Sequence, residues 1–231
     1  MLAIFLLLIA ILIALTFPSV QTYVAKKVTE NINERYDTDI NVERLGINRK
    51  GEVTLKGVFI ADHHKDTLIY AKEVNTTILS FRNLLKTNLN FGDLSLDDAL
   101  LNVKTYKGEE TDNLSIFSGK FAPETPLENP PPFILEATTL RLNNATITVT
   151  DENLETPEVV SFKNVHLEAD DFQVLDVDVF ADIGKMRFVY NDRLVVENLK
   201  ADFGLTKNKI DLKGLDLKTS ESTLTGDVAL L

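Results

Sequence analysis

From Asp39 onward apolar and polar residues alternate along most of the chain, and the alternation slips in one recurring way. In LEATTLRLNNATITVTD, residues 135–151, Leu140 and Leu142 share one parity, Asn143 and Asn144 intervene, and Ala145, Ile147 and Val149 resume on the other. The same pattern of apolar, any, apolar, two polar, apolar, any, apolar starts at Ile40, Val53, Leu94, Leu140, Val160, Leu194 and Ile210. Chance would supply roughly two or three matches in a chain of this composition, so the excess is a structural signal. Most of the polar pairs contain Gly, Asn or Asp, which tolerate positive φ. Each pair is therefore either a two-residue hairpin turn or a β-bulge inside a longer strand. The bulge is favoured, because hairpins here would leave arms of only about three or four residues, at the short end for strands. A sheet bent by bulges at corresponding points in successive strands becomes a trough.

Period-two segments predict strands near 40–48, 52–61, 67–79, 88–106, 133–150, 158–169, 171–180, 185–190, 194–206, 208–218 and 222–231. SFRNLLKT, 80–87, reads as a helical turn or two, and DNLSIFSGKF, 112–121, as another. APETPLENPPP, 122–132, is a proline-rich connection that cannot occupy a central strand. DLSLDDALLNVKT from Asp93 and TLRLNNATITVTD from Thr139 align without gaps at an offset of 46 residues. Repeated β units that bury a face only by packing on their neighbours build elongated, quasi-one-dimensional assemblies.

The N-terminus adds a different element. MLAIFLLLIAILIALTF, 1–17, carries no charge; as a helix it would span about 25 Å, and continuing to Val20 gives enough length for a bilayer core. It reads as a retained anchor, because a cleaved signal peptide has a shorter apolar region, a basic start and a small-residue cleavage site. The basic flank expected on the cytoplasmic side is missing, and TLTGDVALL closes the chain in mid-pattern, so the sequence is expected to be part of a longer protein. In the next segment, 18–37, Val20, Val24, Val28 and Ile32 recur every four residues, which predicts a short amphipathic helix with that stripe as its apolar face. It would cap the open end of the β domain or lie on a membrane surface with Lys26 and Lys27 near headgroups.

Composition narrows the partners. The 231 residues are 44% hydrophobic, with net charge −11 and a pI near 4.8, which argues against nucleic acid because no basic stripe exists to neutralise phosphates. There are no cysteines, so disulfides and thiolate zinc sites are excluded. In ADHHKD, His63 and His64 sit between Asp62 and Asp66 and superficially resemble a metal site, but adjacent strand residues point to opposite faces and the stretch reads as a hairpin turn. His166 alternates with Val165 and Leu167 and is expected to face water. With no phosphate loop, nucleophile elbow or HExxH helix, neither catalysis nor a cofactor is expected.

The uncharged N-terminal segment, the short helix and then GEVTLKGVFIAD, LIYAKEV, FRNLL and FGDLSLDDALLNV, in that order and spacing, resemble the N-terminal module of the bacterial AsmA-like superfamily, in particular its TamB-like proteins. The resemblance covers residues 1–120 well and the remainder more loosely. It implies a mostly β fold: an elongated, curved antiparallel sheet, a β-taco or trough of repeated bulged strands, preceded by a transmembrane helix and an amphipathic helix. The implied organisation is an anchor over 1–17, a helix over 18–37, a β module over 38–121, the proline-rich connection over 122–132 and a continuing trough over 133–231. It implies inner-membrane anchoring with the β domain in the periplasm, and conduction of phospholipid towards the outer membrane. A TamA/BamA-like barrel partner would bind through regions beyond this sequence. The alternative is a scaffold for assembling outer-membrane β-barrel or secreted clients, using strand addition. The groove lining expected from parity is Leu94, Leu96, Leu101, Val103, Leu140, Leu142, Ile147, Val149, Val160, Phe162, Val165, Leu167, Ile210, Leu212, Leu215 and Leu217. The same residues could instead form the core of a closed sandwich.

Overall fold

The computed structural model describes residues 17–48, 50–78, 88–121, 134–175, 178–207 and 209–230. Ten strands among them form one sheet in sequential order: β1 Asp39–Ile47, β2 Glu52–Ala61, β3 Thr67–Ile78, β4 Asn88–Thr105, β5 Ile134–Asp151, β6 Glu158–Leu175, β7 Asp178–Tyr190, β8 Leu194–Thr206, β9 Lys209–Thr219 and β10 Thr223–Leu230. Two helices accompany them, α1 Pro18–Tyr36 and α2 Asn113–Gly119. There is no second layer of strands among the described residues, so the sandwich alternative gives way to a single open sheet. The expected helical turn at 80–87 and the connection at 122–132 lie outside the described residues. So do residues 1–16 of the expected anchor; among the described residues no helix is long and apolar enough to cross a membrane.

All seven polar pairs fall inside strands, none in a hairpin turn. In five of them the second residue has positive φ: Gly57, Asp98, Asn144, Asn164 and Gly214. A left-handed residue inside a strand lets the side chains beyond it resume on the original face; the register shifts, as at a bulge, at the pairs of β5, β6, β8 and β9, whereas at the pairs of β1, β2 and β4 facing strands slip together and the register runs on unbroken. At Gly57 the choice of glycine has a second cause, because a Cβ there would collide with the Glu43 side chain across the strand pair. The expected breaks near 170 and 181–184 are corrected. β6 runs on through Asp170 and Asp171, where φ is 50° and the register shifts, so this Asp pair is a further bulge rather than a turn.

Nine strand pairs hold the sheet, and eight are antiparallel; β4 and β5 run parallel. Their register is the 46-residue repeat itself, with Leu94 beside Leu140, Leu96 beside Leu142, Leu101 beside Ile147 and Val103 beside Val149. Polar repeats meet in the same register. Asn143 donates to Asp97 at 2.7 Å, Asn144 to Asp98 at 2.7 Å, Thr148 to Asn102 at 2.6 Å and Asn90 to Glu136 at 2.9 Å, and Thr139 donates to Asp93. A one-residue slip would break the whole ladder and turn the apolar set over, so the junction specifies its own register. A parallel pair needs a crossover, which the long connection after Thr105 supplies. Part of it is α2, N-capped by Asp112, which accepts from the Ser115 amide.

Helix α1 corrects the expected apolar stripe. Its buried residues are Gln21 and Ala25, whereas Val24 and Val28 are exposed. The helix lies along the free edge of β1, where bare backbone groups need hydrogen-bond partners that valine cannot offer. Gln21 donates to the Ile47 carbonyl and accepts its amide, both at 2.9 Å. Asn33 does the same for Ile40 at 2.8 and 2.9 Å, and the Thr22 hydroxyl accepts from the Leu45 amide. Two side-chain amides thus stand in for a missing strand, and this edge of the sheet is closed.

Candidate functional site

Because the parity slips lie level in neighbouring strands, apolar residues remain on one face across every strand boundary. One row of register partners crosses the entire sheet: Leu45, Leu55, Val74, Leu96, Leu142, Leu167, Met186, Leu199, Leu217 and Leu224. None of the ten is polar. A second row, Ile40, Ile60, Ile69, Leu101, Ile147 and Phe162, runs parallel to it over the first six strands and ends at Tyr190 and Leu194. Small residues fill the line of bulges between the rows, where the strands bend and side chains crowd: Ala71 and Ala145 are buried there.

The sixteen residues expected to line the groove all lie on this face, and their burial separates them. Leu140, Val165 and Leu215 are buried, Val149 is exposed, and the other twelve are half-buried. Val165 is fully buried beside Ala145, and Leu215 belongs to a packed cluster with Ala169, Ile183, Val196, Leu199 and Ala201. These last residues are a hydrophobic core, and of the cluster only Leu215 was expected on the face from parity. The half-buried majority is what a single curved layer produces when neighbouring side chains shield each other and, among the described residues, no second layer covers them.

On the opposite face charges pair across the strands. Lys56 meets Glu73 at 2.9 Å and Lys72 meets Asp98 at 2.9 Å, where Asp98 also accepts from Asn144. These bonds, that from Lys72 first, hold the Asp98 carboxyl below its ordinary value. They tie the bulge line from the outside while contributing little stability, since they are exposed.

A polar corner closes the β2–β3 end. The turn after β2 is the hairpin expected for ADHHKD, with Asp62 and Asp66 bonded through backbone and Lys65 in the left-handed region. Asp62 accepts from the His64 and Asp66 amides at 2.9 and 3.0 Å, from the Tyr106 hydroxyl at 2.7 Å and from Asn113 at 2.9 Å. Burial pushes the Asp62 carboxyl up, but these donors, led by Asn113 and Tyr106, outweigh it and leave it below the ordinary carboxylate range. The Tyr106 hydroxyl, which also reaches Asp66 at 2.9 Å, is driven well above the ordinary tyrosine value by burial and by its two carboxylate partners. The linkage signs differ. Asp62 adds stability above its unfolded value, lost as pH falls through its lower folded value; Tyr106 adds stability below its unfolded value near about 10, lost as pH rises towards its higher folded value. Thermal unfolding followed against pH should therefore decline on the alkaline side from about pH 10, and Tyr106→Phe should remove that decline while lowering the plateau.

Sequence reasoning missed what the turn does with its rings. His63 and His64 do not diverge: both Nε2 atoms reach the Glu109 carboxylate, at 2.9 and 2.8 Å. Glu109 follows β4, and the only signal for it was the length of the connection in which it sits. No family model matches the chain, and no curated protein matches it.

Proposed function

We propose that the apolar face is a conduit along which phospholipid acyl chains slide, in a protein anchored in the bacterial inner membrane with its sheet in the periplasm, feeding the outer membrane. The observation that carries this reading is the apolar row that continues through all ten strands without a polar member. An acyl chain needs continuous apolar surface and no directional polar contact, because a fixed hydrogen bond would trap what must move. Eight of its ten residues are half-buried and Leu224 is exposed, with Leu199 buried, which leaves most of that surface accessible, and curvature from the strand slips would give it the walls of a trough. The role is one of binding and transfer without catalysis. Resemblance to AsmA-like proteins and the uncharged segment at 1–17 support the same assignment.

A benzophenone amino acid at Leu96, Leu142 or Val149 is expected to give phospholipid adducts in cells, detected by lipid mass spectrometry, and one at Arg141 on the other face is not. Adducts confined to protein would sink the conduit. Protein adducts mapping to a sheet edge rather than to the apolar row would instead favour the scaffold reading, in which a client strand adds to the sheet.

A further inference from the structure

We propose that His63, His64 and Glu109 form a binding site for a divalent transition metal ion, with zinc as the natural probe. Their three donor atoms lie within 4.8 Å of one another, and each imidazole Nε2 is already within 2.9 Å of a Glu109 oxygen. A tetrahedral zinc holds ligands at about 2.0–2.1 Å and hence about 3.3 Å apart, so a small withdrawal of the carboxylate makes room for the ion. Two imidazoles and one carboxylate select zinc, copper, nickel or cobalt over calcium and magnesium, which prefer oxygen alone.

The geometry is held before any ion arrives. Asp62 accepts from the His64 amide and so fixes the turn, and the His64 ring stacks on Tyr106 with centroids 3.8 Å apart. Glu109 is held from another hairpin, since Asn153 donates to its carbonyl at 2.8 Å. An ion here would therefore join the β2–β3 turn to the crossover that makes the parallel strand pair possible. Binding puts the lone pairs of both rings at Nε2 and moves their protons to Nδ1. At the more exposed His64 that proton meets water. The buried Nδ1 of His63 has no hydrogen-bond partner among the described residues, so the outer support usual for metal-binding histidine is missing at this ring. Three ligands and one unsupported ring make an open site, with water in the fourth position.

Isothermal titration of zinc into the chelator-treated full chain should show saturable binding with one ion per chain, and cobalt should give the visible bands of a tetrahedral site. Glu109→Gln and His64→Ala should each weaken binding by more than the ~10-fold expected from losing an outer partner alone, and His166→Ala should not. Far-UV circular dichroism checks that the variants keep the sheet, and the zinc-induced shift of the His64 Nε2 resonance tests the site in the unaltered protein. Absence of saturable binding to the unaltered chain, or unchanged affinity in His64→Ala, would overturn the proposal.

Discussion

Val165→Asp should unfold the sheet, whereas Leu142→Asp should leave it folded and empty of lipid. Val165 is 0% exposed, at the β6 bulge opposite Ala145, so a carboxylate there meets neither water nor a partner. The cost is about 4 kcal/mol or more, a large share of the about 5–15 kcal/mol by which domains are stable. Leu142 sits on the same face and in the adjacent row, but it is half-buried, and its replacement can turn the charge into open space. Its cost should be about 1–2 kcal/mol. Urea unfolding separates the two variants, and crosslinking from Leu96 in the Leu142→Asp background reads lipid occupancy. Equal destabilisation by both would mean that the apolar face is covered, which no sliding chain could use. Unchanged lipid adducts in folded Leu142→Asp would show that the row is not the path.

The contrast also marks where the sequence was readable. The place of the polar pairs inside strands was, because a parity slip filled by Gly, Asn or Asp is both a spacing and a conformational signal, and five of the seven pairs carry positive φ at the second residue. Most strand bounds followed from the same periodicity. Asp170 and Asp171 misled because two aspartates mark a turn and a bulge alike, and only pairing with β7 distinguishes them. The 46-residue offset was visible, but it fits units joined end to end as well as two strands side by side. The parallel pair was implied only by the long connection that antiparallel neighbours do not need. In α1 the valines supplied a helical stripe, whereas the amides that dock the helix, Gln21 and Asn33, gave no signal, because burial of a polar side chain depends on a partner edge that periodicity does not encode. The convergence of His63 and His64 had no local signal either: Glu109 is remote in sequence, and the turn that swings both rings towards it depends on Asp62.

Asn113→Ala should be the most damaging polar substitution, because this side chain is where the crossover is fastened to the sheet. Asn113 is 1% exposed; it accepts from the Lys104 amide at 2.8 Å and donates to the Asn102 carbonyl at 3.1 Å and to Asp62 at 2.9 Å. Truncation strands a backbone donor and acceptor and takes from the buried Asp62 carboxylate its foremost stabilising donor, a loss of about 3 kcal/mol. Since the Asp62 carboxyl owes its lowered value first to this bond, the variant loses most of the pH-dependent contribution of Asp62, and its stability should fall less steeply on acidification than that of the unaltered chain. Asn113→Asp makes the same argument with the opposite sign. It keeps the shape and the acceptor for Lys104, but sets a second carboxylate against Asp62, so one of the two must hold a proton. A carboxyl raised in this way contributes stability below its unfolded value and loses it as pH rises. Asn113→Asp should therefore gain stability on acidification from neutral pH towards about 5, where Asn113→Ala does not. If both variants showed the unaltered chain's pH profile, the fastening of the crossover would have to lie in its α1 contacts, Tyr36 against Phe121 and Lys120 on Asp37.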